Sequence, residues 1–128
     1  MKLRNGGEPE SVQFIEFRGS SYRYYLEVAL DIVGGKWKAL LVWHLNHNSV
    51  MRFNKLCRVH PKLTPKMLTR QLKELERDGV VTRKSYNQVP PKVEYSLTEY
   101  GETLLPALRL LSKWGRNYFT SHETSAQE

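Results

Sequence analysis

A chain of 128 residues that is 40% apolar and 26% charged has the size and composition of one ordinary domain with its own core. No apolar run approaches the roughly eighteen residues needed to span a bilayer, no apolar stretch follows the basic start Met1-Lys2-Leu3-Arg4 as a secretory signal would, and the lone Cys57 excludes an internal disulfide or a CxxC zinc pair. A cytoplasmic protein is the expectation, and the net charge of +7 makes a polyanion, nucleic acid first and an anionic membrane surface second, the partner class to test.

Residues 1–21 carry no sustained period and read as a flexible N-terminal arm, with Val12-Gln13-Phe14-Ile15-Glu16-Phe17 apolar enough to dock on another surface. From Tyr22 to Val33 the apolar positions recur at helical spacing, and Gly34-Gly35 ends that helix. A second helix is expected from about Lys36 to His47, with a Trp37-Leu40-Leu41-His44-Leu45 inner stripe, followed by a loop at residues 46–49. A short third helix spans roughly Arg52 to Val59. Thr64 then caps a helix with Pro65 at its first position, where the missing N–H costs nothing, and Gly79 stops it after Asp78. Residues 80–86 and 93–97 are two strands around a tip stiffened by Pro90-Pro91. Thr98 begins a long last helix to about Phe119, and residues 120–128 read as a flexible tail. The resulting class is mainly α with a small β-hairpin: a winged helix-turn-helix over residues 22–119.

The charge is not spread evenly along these elements. Between Lys36 and Lys92 lie 13 basic and three acidic residues, a net of +10, which leaves −3 for the rest of the chain. On the Thr64–Asp78 helix, Leu72 and Leu75 fall within about 40° of Leu68, while Lys66, Arg70, Lys73 and Arg77 cluster about the opposite pole with Thr69 beside them. A helix of this kind enters a major groove with its N-terminal turns against base edges. Thr64, Pro65, Lys66, Thr69 and Arg70 are therefore the candidates for base contact, with Arg70 suited to a bidentate contact with guanine, and Lys73 and Arg77 the candidates for phosphate. On the hairpin, Arg83, Lys84, Asn87, Gln88 and Lys92 are placed to reach phosphates or a minor groove.

The stretches Glu27-Val28-Ala29-Leu30-Asp31-Ile32-Val33-Gly34-Gly35-Lys36-Trp37, Arg52-Phe53-Asn54-Lys55-Leu56, Leu63 to Gly79, and Val89-Pro90-Pro91-Lys92-Val93-Glu94-Tyr95-Ser96-Leu97-Thr98-Glu99-Tyr100-Gly101 together resemble the HxlR-type winged-helix transcription regulators of bacteria, within the MarR-like superfamily. The resemblance implies a homodimer that binds double-stranded DNA at a near-palindromic operator, with repression preferred over activation as the outcome. It also implies that the first and last helices build the dimer, which points to Tyr22, Tyr25, Leu26, Leu104, Leu108, Leu111, Trp114 and Tyr118. Many members open the first helix with a Cys-Pro pair that senses oxidants. Tyr24 and Tyr25 stand in those places here, so that role does not carry over.

Other chemistries fit less well. Cys57 lies among Lys55, Arg58 and His60, cations that favour a thiolate and make it a candidate redox site, but packing as a small hydrophobe is the preferred reading. His44 and His47 share a helix face without a third ligand, so no metal site is expected, and no cofactor. Tyr22, Tyr24, Tyr25, Trp37 and Trp114 line a candidate pocket for an unidentified small-molecule effector, with plain dimer packing preferred. Catalytic motifs are missing from the sequence, so an enzyme is not expected. Membrane binding would need the leucine side of the basic helix, which the core requires. The remaining alternative is an RNA-binding or protein-interaction winged-helix module without operator specificity.

Overall fold

The computed structural model describes residues 3–4, 8–9 and 14–127. Val12 and Gln13 of the apolar N-terminal piece, with the rest of the arm at 1–2, 5–7 and 10–11, lie outside the described residues. Two short antiparallel hairpins come first: β1 (Leu3–Arg4) with β2 (Glu8–Pro9), and β3 (Ile15–Phe17) with β4 (Ser20–Tyr22). The second turns through Arg18 and Gly19, both at positive φ, 55° and 75°, the backbone of a two-residue hairpin turn. Residues 15–22 are thus folded rather than featureless, and α1 (Tyr25–Val33) begins three residues later than the apolar spacing suggests, because Tyr22 belongs to β4. The Glu27 carboxylate accepts the Arg23 and Tyr24 backbone N–H groups at 2.7 and 2.9 Å and fixes that start.

Helix α2 (Lys38–Asn48) extends through most of the expected loop. β5 (Val50–Arg52) then leads directly into α3 (Phe53–Val59), and the turn at residues 60–64 into α4 (Pro65–Arg77). The wing is not a simple hairpin. β6 (Val81–Tyr86) and β7 (Lys92–Leu97) pair antiparallel, and β5 adds to the far side of β7 to give the order β5-β7-β6. Met51 is the reason for this third strand: it opposes Tyr95 in register, and both side chains are buried. The expected single last helix is two. α5 (Glu99–Glu102) stops, and α6 (Leu105–Gln127) restarts. Pro106 accounts for the break, since its ring clashes with the carbonyl four residues back and offers no N–H. Nothing after Phe119 breaks the helix, so residues 120–127 continue it instead of fraying at 119.

The core joins all of these layers. Leu41, Val42 and Leu45 of α2, Leu56 of α3, Leu68, Leu72 and Leu75 of α4, Val81 and Tyr95 of the sheet, and Leu105 and Leu108 of α6 form one buried cluster. Burying each such leucine contributes about 1.5–3 kcal/mol. Among the described residues no helix is long and apolar enough to cross a membrane.

The junction between α4 and α5 is unusually close. The Thr98 hydroxyl donates to the Gly79 carbonyl at 2.6 Å and accepts the Gly101 N–H at 2.9 Å. A Cβ on Gly101 would stand 2.1 Å from the Val80 carbonyl oxygen, inside any tolerable contact. Gly101→Ala should therefore destabilise the fold by about 1–3 kcal/mol, read as a lower midpoint in thermal or urea unfolding. An unchanged midpoint would mean that α5 can move off Val80 freely.

Candidate nucleic-acid interface

Helix α4 starts and stops where its local sequence requires. The Thr64 hydroxyl accepts the Met67 N–H at 3.1 Å, and Pro65 occupies the first helical position. At the other end Gly79 has φ 75°, Gly79 N–H donates to Glu76 at 3.0 Å and Val80 N–H to Leu75 at 2.9 Å. This is the paired closure that a left-handed glycine permits, with Val80 and Leu75 both buried behind it.

Between these ends the two-sided pattern holds in space. Leu68, Leu72 and Leu75 are buried, and Lys66, Arg70, Lys73 and Arg77 are exposed. Lys66, Thr69, Arg70, Lys73, Glu74 and Arg77 line one shallow groove along the outer face. Thr64 and Pro65 are exposed at its N-terminal end. Thr69 is half-buried and donates its hydroxyl to the Pro65 carbonyl at 2.8 Å, so it offers a partner only its oxygen lone pair and its methyl group. The acidic residues are handled separately. Glu74 pairs with Lys38 of α2 at 3.4 Å, and Asp78 pairs with Arg77 at 3.0 Å and with Arg18. Glu76 instead lines the cleft beside the wing.

That cleft, of about 520 Å³, runs between α4 and the sheet and is lined by Arg52, Phe53, Asn54, Thr69, Lys73, Glu76, Arg83, Pro91, Lys92, Val93 and Tyr95. Arg52 and Asn54 are additions to the sequence-derived set. Arg52 ends a strand of three residues, too short for its alternation to stand out in the sequence, and Asn54 lies in the first turn of α3 beside it.

Strand register separates two cations that the sequence groups together. Arg83 opposes Tyr95, and Lys84 opposes Glu94. Arg83 thus shares the face of the core residues, and Lys84 the opposite face with Tyr86, Lys92 and Arg52, the last two at strand ends from which they also line the cleft. On that outer face the Lys84 and Lys92 ammonium groups lie 4.9 and 4.5 Å from the centre of the Tyr86 ring. A Tyr86 hydrogen bond, acting against some desolvation and aided by the charges of Lys92 and Arg52, holds the Glu94 carboxyl below its ordinary range. Lys92 also pairs with Glu94 at 3.6 Å. Asn87 and Gln88 stay exposed at the tip.

The residues expected at a dimer contact divide into two groups. Tyr25, Leu26, Leu111, Trp114 (65% exposed) and Tyr118 present apolar surface to the outside. Leu110, Phe119 and Leu30 are exposed as well and extend the same set. Trp114 stacks on Tyr118 and Tyr118 on His122, with ring centroids 5.7 and 3.9 Å apart. By contrast, Leu104 and Leu108 turn inward. Leu108 is 8% exposed and belongs to the protomer's own core, with Leu104 packed against it, because the bend at residues 103–104 rotates the start of α6 onto α2. Tyr22 is half-buried, its hydroxyl donating to Asp31. Cys57 is half-buried and packs against the core. Among the described residues no cluster of three or more His, Cys, Asp and Glu side chains is placed to hold a metal.

The turn between α3 and α4 holds a buried aromatic group. His60 is 6% exposed, its ring 4.4 Å from His44 and 5.9 Å from Trp37, both edge-on. Burial, with a contribution from the nearby His44, depresses its pKa below the ordinary 6.5.

Comparison with known proteins places this arrangement among regulators. The family model for the HxlR-like helix-turn-helix matches residues 32–123. A Bacillus subtilis (strain 168) protein named as the HTH-type transcriptional regulator YdeP is 55% identical over 93 residues, covering 73% of this chain and 72% of the relative. Another from the same organism, YtcD, is 50% identical over 97 residues, 76% of each chain. Among solved structures, the redox regulator HypR in its reduced form superposes with a TM-score of 0.73 at 48% identity, covering 78% of this chain and 98% of that one. The crystal structure of ytcD gives 0.71 at 50% identity, covering 74% and 96%.

The histidine at the turn predicts a pH dependence. Above 6.5 both folded and unfolded chains carry it neutral; below 6.5 the unfolded chain takes the proton first, so stability falls until the folded group titrates too. As pH falls below about 6.5, the thermal midpoint of the wild type should therefore drop by more than that of His60→Phe, which keeps an aromatic ring beside Trp37. Parallel curves for the two proteins would assign the dependence to other groups.

Proposed function

The chain belongs to the HxlR-like helix-turn-helix family, whose relatives YdeP and YtcD are named HTH-type transcriptional regulators, and from that premise we propose that it binds a near-palindromic operator as a homodimer and represses the adjacent promoter. The observation that carries the reading is the outer face of α4: Lys66, Arg70, Lys73 and Arg77 exposed on a helix whose other face is buried in the core.

The roles follow from position along the helix. The capped N-terminal turns bring Thr64, Pro65, Lys66, Thr69 and Arg70 to base edges in a major groove, and Lys73 and Arg77 meet phosphates further along. Arg52 and Asn54 join them from the cleft, and Lys84, Asn87, Gln88 and Lys92 reach the neighbouring backbone from the wing. Arg83, on the inner sheet face, serves the cleft rather than the wing's outer contact. Two copies paired through the exposed faces of α1 and α6 set their α4 helices about 34 Å or a multiple apart along the duplex.

An RNA platform would need exposed aromatics on the basic surface. Tyr86, the aromatic side chain of the wing, is held between two lysines and bonded to Glu94, which favours duplex DNA.

A duplex recovered by selection from the host genome tests the assignment. Arg70→Ala should weaken its binding by about 1–3 kcal/mol and relax preference at one base position. If Arg70→Ala binds as tightly and as selectively as the wild type, α4 is not the reading helix. For assembly, Trp114→Glu, on the outer face of α6, should move the sedimentation coefficient toward that of a monomer without lowering the helix content. A dimer that survives this substitution would have its interface elsewhere.

A further inference from the structure

Asp78 ends α4 with a carboxylate whose side chain is 1% exposed, at the helix terminus where the backbone dipole already places partial negative charge. Two guanidiniums compensate it. Arg77 donates through Nε at 3.0 Å and Nη2 at 3.5 Å. The other donor is Arg18 Nη2, sixty residues upstream at the tip of the β3–β4 hairpin. Burial pushes the Asp78 carboxyl up, but the hydrogen bonds and charges of the two arginines outweigh it and hold it below the ordinary 3.8.

The identity of residue 18 is a second, independent observation. It occupies the first central position of a turn in which both residues lie in the left-handed region, a place ordinarily taken by Asn, Asp or Gly. A long side chain there costs backbone energy. The needs of the turn do not explain an arginine, but contact with Asp78 does. The guanidinium also lies 4.6 Å from the Phe17 ring centre, which holds it toward the helix.

Charge counting then gives Arg18 a role. Arg77 and Asp78 alone sum to zero; with Arg18 the group keeps a net charge of +1 at the end of the cationic face. Arg77 is 59% exposed and still has N–H groups not directed at Asp78. We propose that Arg18 is a positioning residue for DNA binding: the N-terminal hairpin neutralises Asp78, pins the end of α4, and leaves the Arg77 guanidinium available to a phosphate. The proposal rests on α4 being the DNA-reading helix.

The test compares full-length wild type, Arg18→Ala, Arg18→Lys, Asp78→Asn and the double variant Arg18→Ala/Asp78→Asn on a duplex selected from a random library, over about 50–200 mM salt. Arg18→Ala should weaken binding about fivefold and flatten the logarithmic salt dependence by just under one unit, the loss of one phosphate contact. Arg18→Lys should restore the slope, and in the Asp78→Asn background Arg18→Ala should change neither affinity nor slope. The proposal is overturned if Arg18→Ala only melts earlier with its salt slope intact, or if its loss persists undiminished without Asp78, which would make Arg18 a direct DNA contact. Should Arg18→Ala fail to fold, Asp78→Asn and the double variant decide: with no carboxylate left to neutralise, both must keep a salt slope at least as steep as the wild type's, and a flatter slope in the double variant refutes the proposal. A wild type that binds no duplex would instead refute the assignment of α4 itself.

Discussion

Everything on the outside of this protein is aimed by the burial of Leu68, Leu72 and Leu75. Three leucines on one side of α4, packed against α2, α3 and the sheet, fix the rotation of the helix about its axis. A rotation that carried Lys66 or Arg70 inward would bury an unpaired charge, which costs several kcal/mol. The cationic face is therefore held outward by the core rather than by any contact of its own. The same constraint explains why Glu74 is tolerated on this helix, because at its rotation it meets Lys38 of α2.

The two ends of α4 are secured by different means. The N-terminal end depends on local chemistry, a threonine cap and a proline, both within five residues of chain. The C-terminal end is tied to distant segments: Thr98 bonds to Gly79, and Arg18 to Asp78. This asymmetry suits the proposed role of α4, in which the first turns meet base edges. The N-terminal cap is closed within the helix's own residues, whereas the far end is held by hydrogen bonds from distant segments.

Much of this was legible in residue order. The α4 boundaries followed from Thr64-Pro65 and Gly79, the two-faced wheel from leucine spacing, and the wing strands from alternation around Pro90-Pro91. What escaped had identifiable physical causes. β5 is three residues long and gains its identity from pairing with β7, a non-local contact that no local period announces. The break between α5 and α6 was marked by Pro106 but masked by leucines that continue the helical spacing across it. As a result Leu104 and Leu108 read as part of the apolar face expected at a dimer contact, whereas Leu108 is core and Leu104 packs against it. Arg18 was invisible because its partner lies sixty positions away, and sequence distance carries no trace of such a pairing. The opposite facing of Arg83 and Lys84, by contrast, follows from period two alone once the strand is known.

The third strand has a mechanical consequence for the DNA. β5 runs directly into α3 on one side and pairs with the returning strand of the wing on the other. The helix-turn-helix and the wing therefore share one piece of sheet, and the pairing of β5 with β7 ties the cleft between them to that sheet. On the proposed binding mode, a duplex engaging both must match the spacing between them in its groove width. Under the proposed mode, base steps that no side chain touches enter the binding energy through how readily they narrow, widen or kink, and the stiffness of the DNA contributes to sequence preference.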